Sequence, residues 1–151
     1  MANTDPTGYL SIPPDLIRGV AWKQPVRAAS TATVTLASGV ENGDTLDGIT
    51  LATGDRILLK DQSTGSQNGI YVVAASGAPA RAFDMDQDLT TAVPAQEVLG
   101  AIVYVIAGTT NGGKTFRNTN TTSATLGSTG LTFAEFGGSS AVQRTFAFFG
   151  G

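Results

Sequence analysis

Three stretches of the chain set residues capable of chemistry at suggestive spacings. In "DMDQD", Asp84, Asp86 and Asp88 alternate, which is how a calcium-binding EF-hand loop begins. The remainder of that pattern fails: Leu89 stands where the loop's glycine belongs, and Ala95 where its bidentate glutamate belongs. On a strand the three carboxylates would share one face, their repulsion relieved by solvent, by Arg81 or by a bound cation. A solvated edge or an Arg81 pair is the plainer reading. The triplet is a weak candidate for a metal site, and no cofactor is implied.

The second stretch, "GTTNGGKTF" (residues 108–116), hints at a phosphate loop. It lacks the G-x-x-x-x-G-K-[ST] spacing, and the residues after it read as a strand rather than a helix, so a hairpin turn is expected. The third, "LLKDQSTGSQNGIYVV" (residues 58–73), joins two apolar runs through a polar connection. Asp61 can accept backbone N–H groups two residues on, Gly65 and Gly69 allow positive φ, and Asn68 tolerates the left-handed region. All these residue types suit a tight polar loop, so the connection reads mainly as architecture, with a ligand or receptor contact as the alternative.

Catalysis has little to work with. Histidine and cysteine are both absent. That removes the usual general base, Ser-His-Asp arrangements, thiolate nucleophiles, disulfides and thiolate zinc sites. Serine and threonine are plentiful but have no imidazole to activate them. Carboxylate pairs of the glycosidase kind do not converge in the sequence. The expectation is a protein that is not an enzyme. Trp22, the single tryptophan, reads as an anchor rather than a sugar-stacking platform.

The net charge of −3 gives no electrostatic footprint for nucleic acid or for an anionic membrane, and neither is expected as a partner. The first ten residues have no basic region followed by an apolar one and do not read as a signal peptide. The longest apolar run, near residues 98–107, is too short to span a bilayer and reads as a strand. At 151 residues the chain is about one domain long and could bury a core unaided, yet 19 glycines make it loop-rich. Some stability is therefore expected from partner subunits.

The elements that must position these residues are short strands. "TVTL" (33–36), "TLDGITL" (45–51, a strand or a hairpin about Asp47-Gly48), "RILLK" (56–60), "GIYVVAA" (69–75) and "ARAF" (80–83) come first. "EVLGAIVYVIAG" (97–108), "KTFRN" and "LTFAEF" follow. Seven or eight strands at about 8–12-residue spacing predict an all-β domain, a small β-sandwich or barrel-like fold. The run 97–108 is the most apolar and is expected to be central, with Val98, Ile102, Val103, Val105 and Ile106 mostly buried. Residues 119–130 read as an exposed polar loop.

Flanking this module (residues 26–136) are two segments of different character. Residues 1–25 carry Pro6, Pro13, Pro14 and Pro25 and read as an extended docking arm. Its contact residues would be Ile12, Leu16, Ile17 and Trp22. Residues 137–151 comprise a Gly-Gly-Ser-Ser break and a short apolar C-terminal tail, where Phe146, Phe148 and Phe149 are expected to dock on a partner.

The order "VRAASTATVTLAS", "DGITLATGDRILLKDQSTGSQNGIYVV", "ARAFDMDQD", a long apolar strand and "GLTFAEF" resembles a β-rich module of bacteriophage structural proteins, frequent in tail-fibre and tail-tip components. "GDRILLKDQ…NGIYVV" is its most distinctive part. Residues 89–99 are longer than the module's usual connection, and the two flanking segments lie outside it. The resemblance implies a virion protein, either a tail-fibre or baseplate component or adaptor, or a capsid decoration (cement) protein. Its partners would be other virion proteins, in the tail or baseplate or the major capsid protein, and it would itself be a homo-oligomer, by analogy a trimer. A glycan-binding or glycan-cleaving module is the remaining reading.

Overall fold

A computed structural model describes residues 21–86, 98–121 and 124–137. Nine short strands lie among the described residues: β1 (Ala28–Ala29), β2 (Thr45–Leu46), β3 (Ile49–Thr50), β4 (Arg56–Leu59), β5 (Gly69–Val72), β6 (Ala80–Arg81), β7 (Ile102–Tyr104), β8 (Thr115–Asn118) and β9 (Phe133–Glu135). Among the described residues the only helical pieces are 3-10 turns at Gly65–Gln67 and Phe83–Met85, so the domain is β-rich as the strand spacing predicts.

The strands form three sheets, ordered β1-β4-β5-β6, β2-β3 and β7-β8-β9. The first is mixed: β1 runs parallel to β4, while β4-β5 and β5-β6 are antiparallel. The β2-β3 pair is the tight hairpin foreseen at Asp47-Gly48, with Leu46 opposite Ile49. Asp47 (φ 49°) and Gly48 (φ 79°) both take positive φ, as a type I′ turn requires.

The first sheet is the one covered on both faces. On one side Leu58 and Ile70 meet Val103, Val105 and Phe116 of the third sheet, together with Val26, Ala29, Met85, Val98 and Leu131. On the other, Ile57, Leu59, Tyr71 and Val73 pack against Val40, Leu46 and Leu51. Alternation along β4 and β5 therefore sends apolar residues into two separate cores, which explains why "RILL" and "GIYV" read as continuous hydrophobic runs.

The run 97–108 was expected to hold that doubly covered place, and it does not. Only β7 within it is a named strand, and its residues alternate. Val103 and Val105 are buried, Ile102 is half-buried, and Tyr104 and Ile106 are exposed. Its second face is apolar in sequence and open in structure.

The stretch "TVTL" is not a strand. Its backbone is paired by a side chain instead: Val34 N–H donates to Gln62 Oε1 at 2.8 Å, and Gln62 Nε2 donates to the Val34 carbonyl at 2.8 Å. One glutamine amide thus stands in for a neighbouring strand.

Residues 21–30 join the two larger sheets. Trp22 and Val26 make parallel bridges with Ile102 and Val105 on the edge of β7, after which Ala28 and Ala29 pair with Ile57 and Leu58 of β4. The handover falls at two residues. Val26 donates to Tyr104 and accepts from Ile106, while Arg27 donates to Arg56 and accepts from Ala107. Trp22 to Val26 spans one residue more than Ile102 to Val105, a bulge beside Pro25. The extra residue turns Val26 inward while Trp22 points out.

Candidate functional site

Asp84 lies in the Phe83–Met85 turn rather than on a strand, so it does not share a strand face with Asp86. Its carboxylate is buried and accepts from Arg56 Nη2 at 2.9 and 3.0 Å and from the Gln24 N–H at 3.1 Å. The partner is thus Arg56, not Arg81. Arg81 is committed elsewhere: its guanidinium donates to the carbonyls of Asn68 and Ser66, closing the Gly65–Gln67 turn, and lies 5.0 Å from the Tyr71 ring. Asp86 is exposed, and Asp88 lies outside the described residues. No group of acidic residues able to hold a metal ion occurs among the described residues. Arg56 already neutralises Asp84, so a cation there would face a cationic neighbour.

The loop that hinted at phosphate binding cradles an anion of the chain's own. The backbone N–H groups of Thr110 and Asn111 donate to the two oxygens of the Asp47 carboxylate, at 2.9 and 2.7 Å. The Thr109 N–H donates to the Asp47 carbonyl at 2.9 Å. Asn111 then reaches inward, its Nδ2 donating to the carbonyls of Ala29 and Ser30. The β2-β3 turn and the 108–113 turn are thereby locked together, and the N–H groups that would bind a phosphate are occupied.

The connection between β4 and β5 is architectural as well, and Gly69 takes the positive φ expected of it (146°), while Asn68 and Gly65 serve differently. Asn68 is extended (φ −67°), and its side chain accepts from the Gln62 N–H and donates to the Leu131 carbonyl. The Ser63 N–H goes to Thr33 Oγ1, while Asp61 pairs with Lys60 Nζ at 2.7 Å. Gly65 does not take positive φ; it is required by crowding, because a Cβ there would sit 3.2 Å from Gly130 Cα. That approach lets the Leu131 N–H donate to the Gly65 carbonyl at 3.0 Å, tying the connection to the strand region of β9.

Burial pushes the Tyr71 phenol upward, partly opposed by the positive charge of Arg81, and its O–H donates to the Gln67 carbonyl at 2.8 Å. A neutral buried phenol held by a carbonyl is a structural group, not a nucleophile.

With Asp84, Asp47, Asn111 and Asn68 bonded internally, the open surface of the third sheet stands out. Pairing fixes which residues share it. Ile102 lies opposite Arg117, which lies opposite Ala134. Tyr104 lies opposite Thr115, whose carbonyl accepts from the Phe136 N–H. Trp22 bridges to Ile102 from the other edge. Partners across a ladder project on the same side. Trp22 (58% exposed), Tyr104, Ile106 (57%) and Phe136 are the large apolar residues of this face. At roughly 150–250 Å² for a fully exposed aromatic side chain, the exposed parts sum to about 400 Å², within the range of a functional patch. Arg117 sits in its midst, its guanidinium 5.9 Å from the Phe136 ring.

Of the residues assigned to docking from the sequence, Trp22 therefore lies on this face. Ile12, Leu16, Ile17, Phe146, Phe148 and Phe149 lie outside the described residues. Residues 21–25 of the expected arm run along the domain's own β7. Sequence reading missed Tyr104, Ile106 and Phe136 because alternating apolar residues on both sides of a strand signal double burial; only the exposed Arg117 on β8 marks one side as open. Comparison with protein-family models, with curated proteins and with solved structures finds no match for this chain.

Proposed function

We propose that this chain is a non-enzymatic structural subunit of a bacteriophage virion, built as a small β-sandwich, that works by docking its third sheet onto another virion protein. The supporting observation is the outer face of β7-β8-β9: four large apolar side chains around one arginine, on a domain whose other motifs are used internally. The phage assignment itself rests on the sequence resemblance. A tail-fibre or baseplate component or adaptor is the first reading, with residues 1–20 as a further attachment. The partner surface should be apolar and carry a carboxylate to meet Arg117, whose guanidinium has no ion pair among the described residues.

Arg117 also favours a second reading. Pairing the face with itself about a two-fold axis would bring two guanidinium groups together, whereas a head-to-tail contact would not. A ring of three copies, as in a trimeric capsid decoration protein, satisfies that condition.

The test is incorporation into particles of a chain carrying Trp22→Ala and Ile106→Asp. Both side chains are more than half exposed, so the thermal midpoint should stay near that of the unaltered protein. Loss of incorporation at unchanged stability is the expected result, and normal incorporation would overturn the docking assignment. Copy number separates the two readings: hundreds per particle for decoration, a few dozen or fewer for a tail component.

A further inference from the structure

We infer that residues 21–30 act as a tension-bearing clamp, which carries a pull on residues 1–20 into both larger sheets at once. This goes beyond the docking reading and holds whatever the outer face of the third sheet meets. Both ladders of the segment are parallel: Trp22 and Val26 bridge to the β7 edge, and Ala28 and Ala29 pair with β4. The Ile102 N–H donates to the Ala21 carbonyl at 2.7 Å and the Lys23 N–H to the Ile102 carbonyl at 2.8 Å. The bonds of Val26 and Arg27 follow, and the Ser30 N–H closes the series on the Leu58 carbonyl at 2.8 Å. Ala21 thus lies at the end of the third sheet where β7 begins and β8 finishes, since Ile102 is opposite Arg117 and Asn118 donates to Ala101. The 108–113 turn lies at the other end. A load along the strands between those ends meets the bonds side by side, and sliding requires several to break together. A load across the strands at the Ala21 end meets them one at a time.

Side chains from three other parts of the chain fasten the same ten residues. Asp84 accepts the Gln24 N–H, and Arg56 Nη2 donates to the Gln24 carbonyl at 3.2 Å. Asn111 Nδ2 donates to the carbonyls of Ala29 and Ser30 at 3.2 and 3.0 Å. Ser30 Oγ in turn accepts the Lys60 N–H at 2.9 Å. Ser30, Asp84 and Asn111 are all buried. Such bonds add little to equilibrium stability, because water replaces them in the unfolded chain. Under tension they count differently, since forced unfolding is governed by the barrier to opening rather than by the equilibrium. The apolar side chains of the segment work in the same direction. Val26 and Ala29 are seated in one core and Ala28 in the other, so sliding would also drag side chains out of both. A pull on Ala21 is therefore shared between the sheets instead of being borne by one edge.

The absence of cysteine allows handles to be placed at chosen positions of the full chain. Ala21→Cys is combined with Thr110→Cys in one chain and with Thr121→Cys in another, all three at exposed positions. Thr110 lies at the far end of the third sheet, and Thr121 follows β8 at the end where Ala21 lies. DNA handles on the two thiols are pulled in optical tweezers. At one loading rate, the first rupture should need about twofold more force between 21 and 110 than between 21 and 121. Equal forces, or a lower force between 21 and 110, would overturn the clamp. Both chains should share one urea midpoint, and a force difference that merely follows a difference in midpoint would also overturn it. Asn111→Ala, introduced into each, gives a second reading. It should lower the force between 21 and 110 and leave the first rupture between 21 and 121 unchanged, because peeling from Ala21 reaches Ala29 and Ser30 last. An equal loss in the two geometries would give Asn111 a role in stability alone and would remove it from the clamp.

Discussion

Replacing Asp84 by alanine separates the structural role of "DMDQD" from a metal-binding one. The carboxylate holds Arg56 Nη2 with both oxygens and also accepts the Gln24 N–H. The two side chains are only 14% and 5% exposed, so deletion strands a guanidinium in a largely water-free position. Breaking a buried pair costs about 3–5 kcal/mol. Here the lower end applies, because Arg56 keeps the Gln24 carbonyl at 3.2 Å as an acceptor and retains some access to water. A loss of about 3 kcal/mol corresponds to a fall of roughly 6–12 °C in Tm for a domain of this size. The pair is itself imperfect, since Arg56 Nε is buried without a hydrogen-bond partner. The double variant Arg56→Met with Asp84→Leu should therefore recover most of the loss. Thermal and urea unfolding followed by circular dichroism, with and without millimolar Ca²⁺, supply the measurements. Asp84→Ala within 0.5 kcal/mol of the unaltered protein would refute the argument from the buried pair. A Ca²⁺-dependent rise in Tm that disappears in Asp84→Ala would restore the metal reading.

Other expectations follow from the same geometry. The raised pKa of Tyr71 means that its neutral phenol contributes stability that is complete below the unfolded value of about 10 and is lost as pH rises through the folded value; Tyr71→Phe should flatten that alkaline decline relative to the unaltered chain, and identical pH profiles would contradict the burial argument. Val103→Ala should cost about 2 kcal/mol by urea unfolding, while Ile106→Ala should stay within about 0.5 kcal/mol, because the first is fully buried and the second more than half exposed. Equal effects would mean that the face of β7 has been assigned wrongly. Deleting residues 1–20 should leave a folded domain that fails to join particles, whereas deleting 1–25 should also lower Tm by stripping the segment paired with β7; equal Tm values for the two truncations would remove that pairing from the account.

The sequence reading located those elements whose signal is local. Asp47-Gly48 specifies its own turn, and the apolar runs at 56–59 and 69–72 announce strands whatever covers them. It failed where a partner far along the chain decides the outcome. "TVTL" has the composition of a strand, but its hydrogen bonds go to the Gln62 side chain, 28 positions away. Asp84 has Arg81 as its nearest cation in sequence, yet it pairs with Arg56 because β4 passes beside the 3-10 turn that carries Asp84. The candidate face was hidden for a related reason. Ile102, Tyr104 and Ile106 look like core, and nothing local shows that Tyr104 and Ile106 are left exposed.

The segment that joins the two larger sheets also sets the order in which the molecule can be completed. Its pairing with β4 can form once residue 59 exists, but its bridges to Ile102 and Val105, and the bonds from Asn111 to Ala29 over 82 positions, need the far part of the chain. During synthesis β1 therefore waits for β7 and the 108–113 turn. Contacts of such sequence separation slow folding, toward the millisecond-to-second range of β-rich domains. In that interval Val26 and Ala29 have no core to enter, and nascent chains expose apolar surface to one another. Trp22 gains its partner Ile102 only when the third sheet forms, so a chain interrupted before β7 would leave residues 22–26 without that pairing.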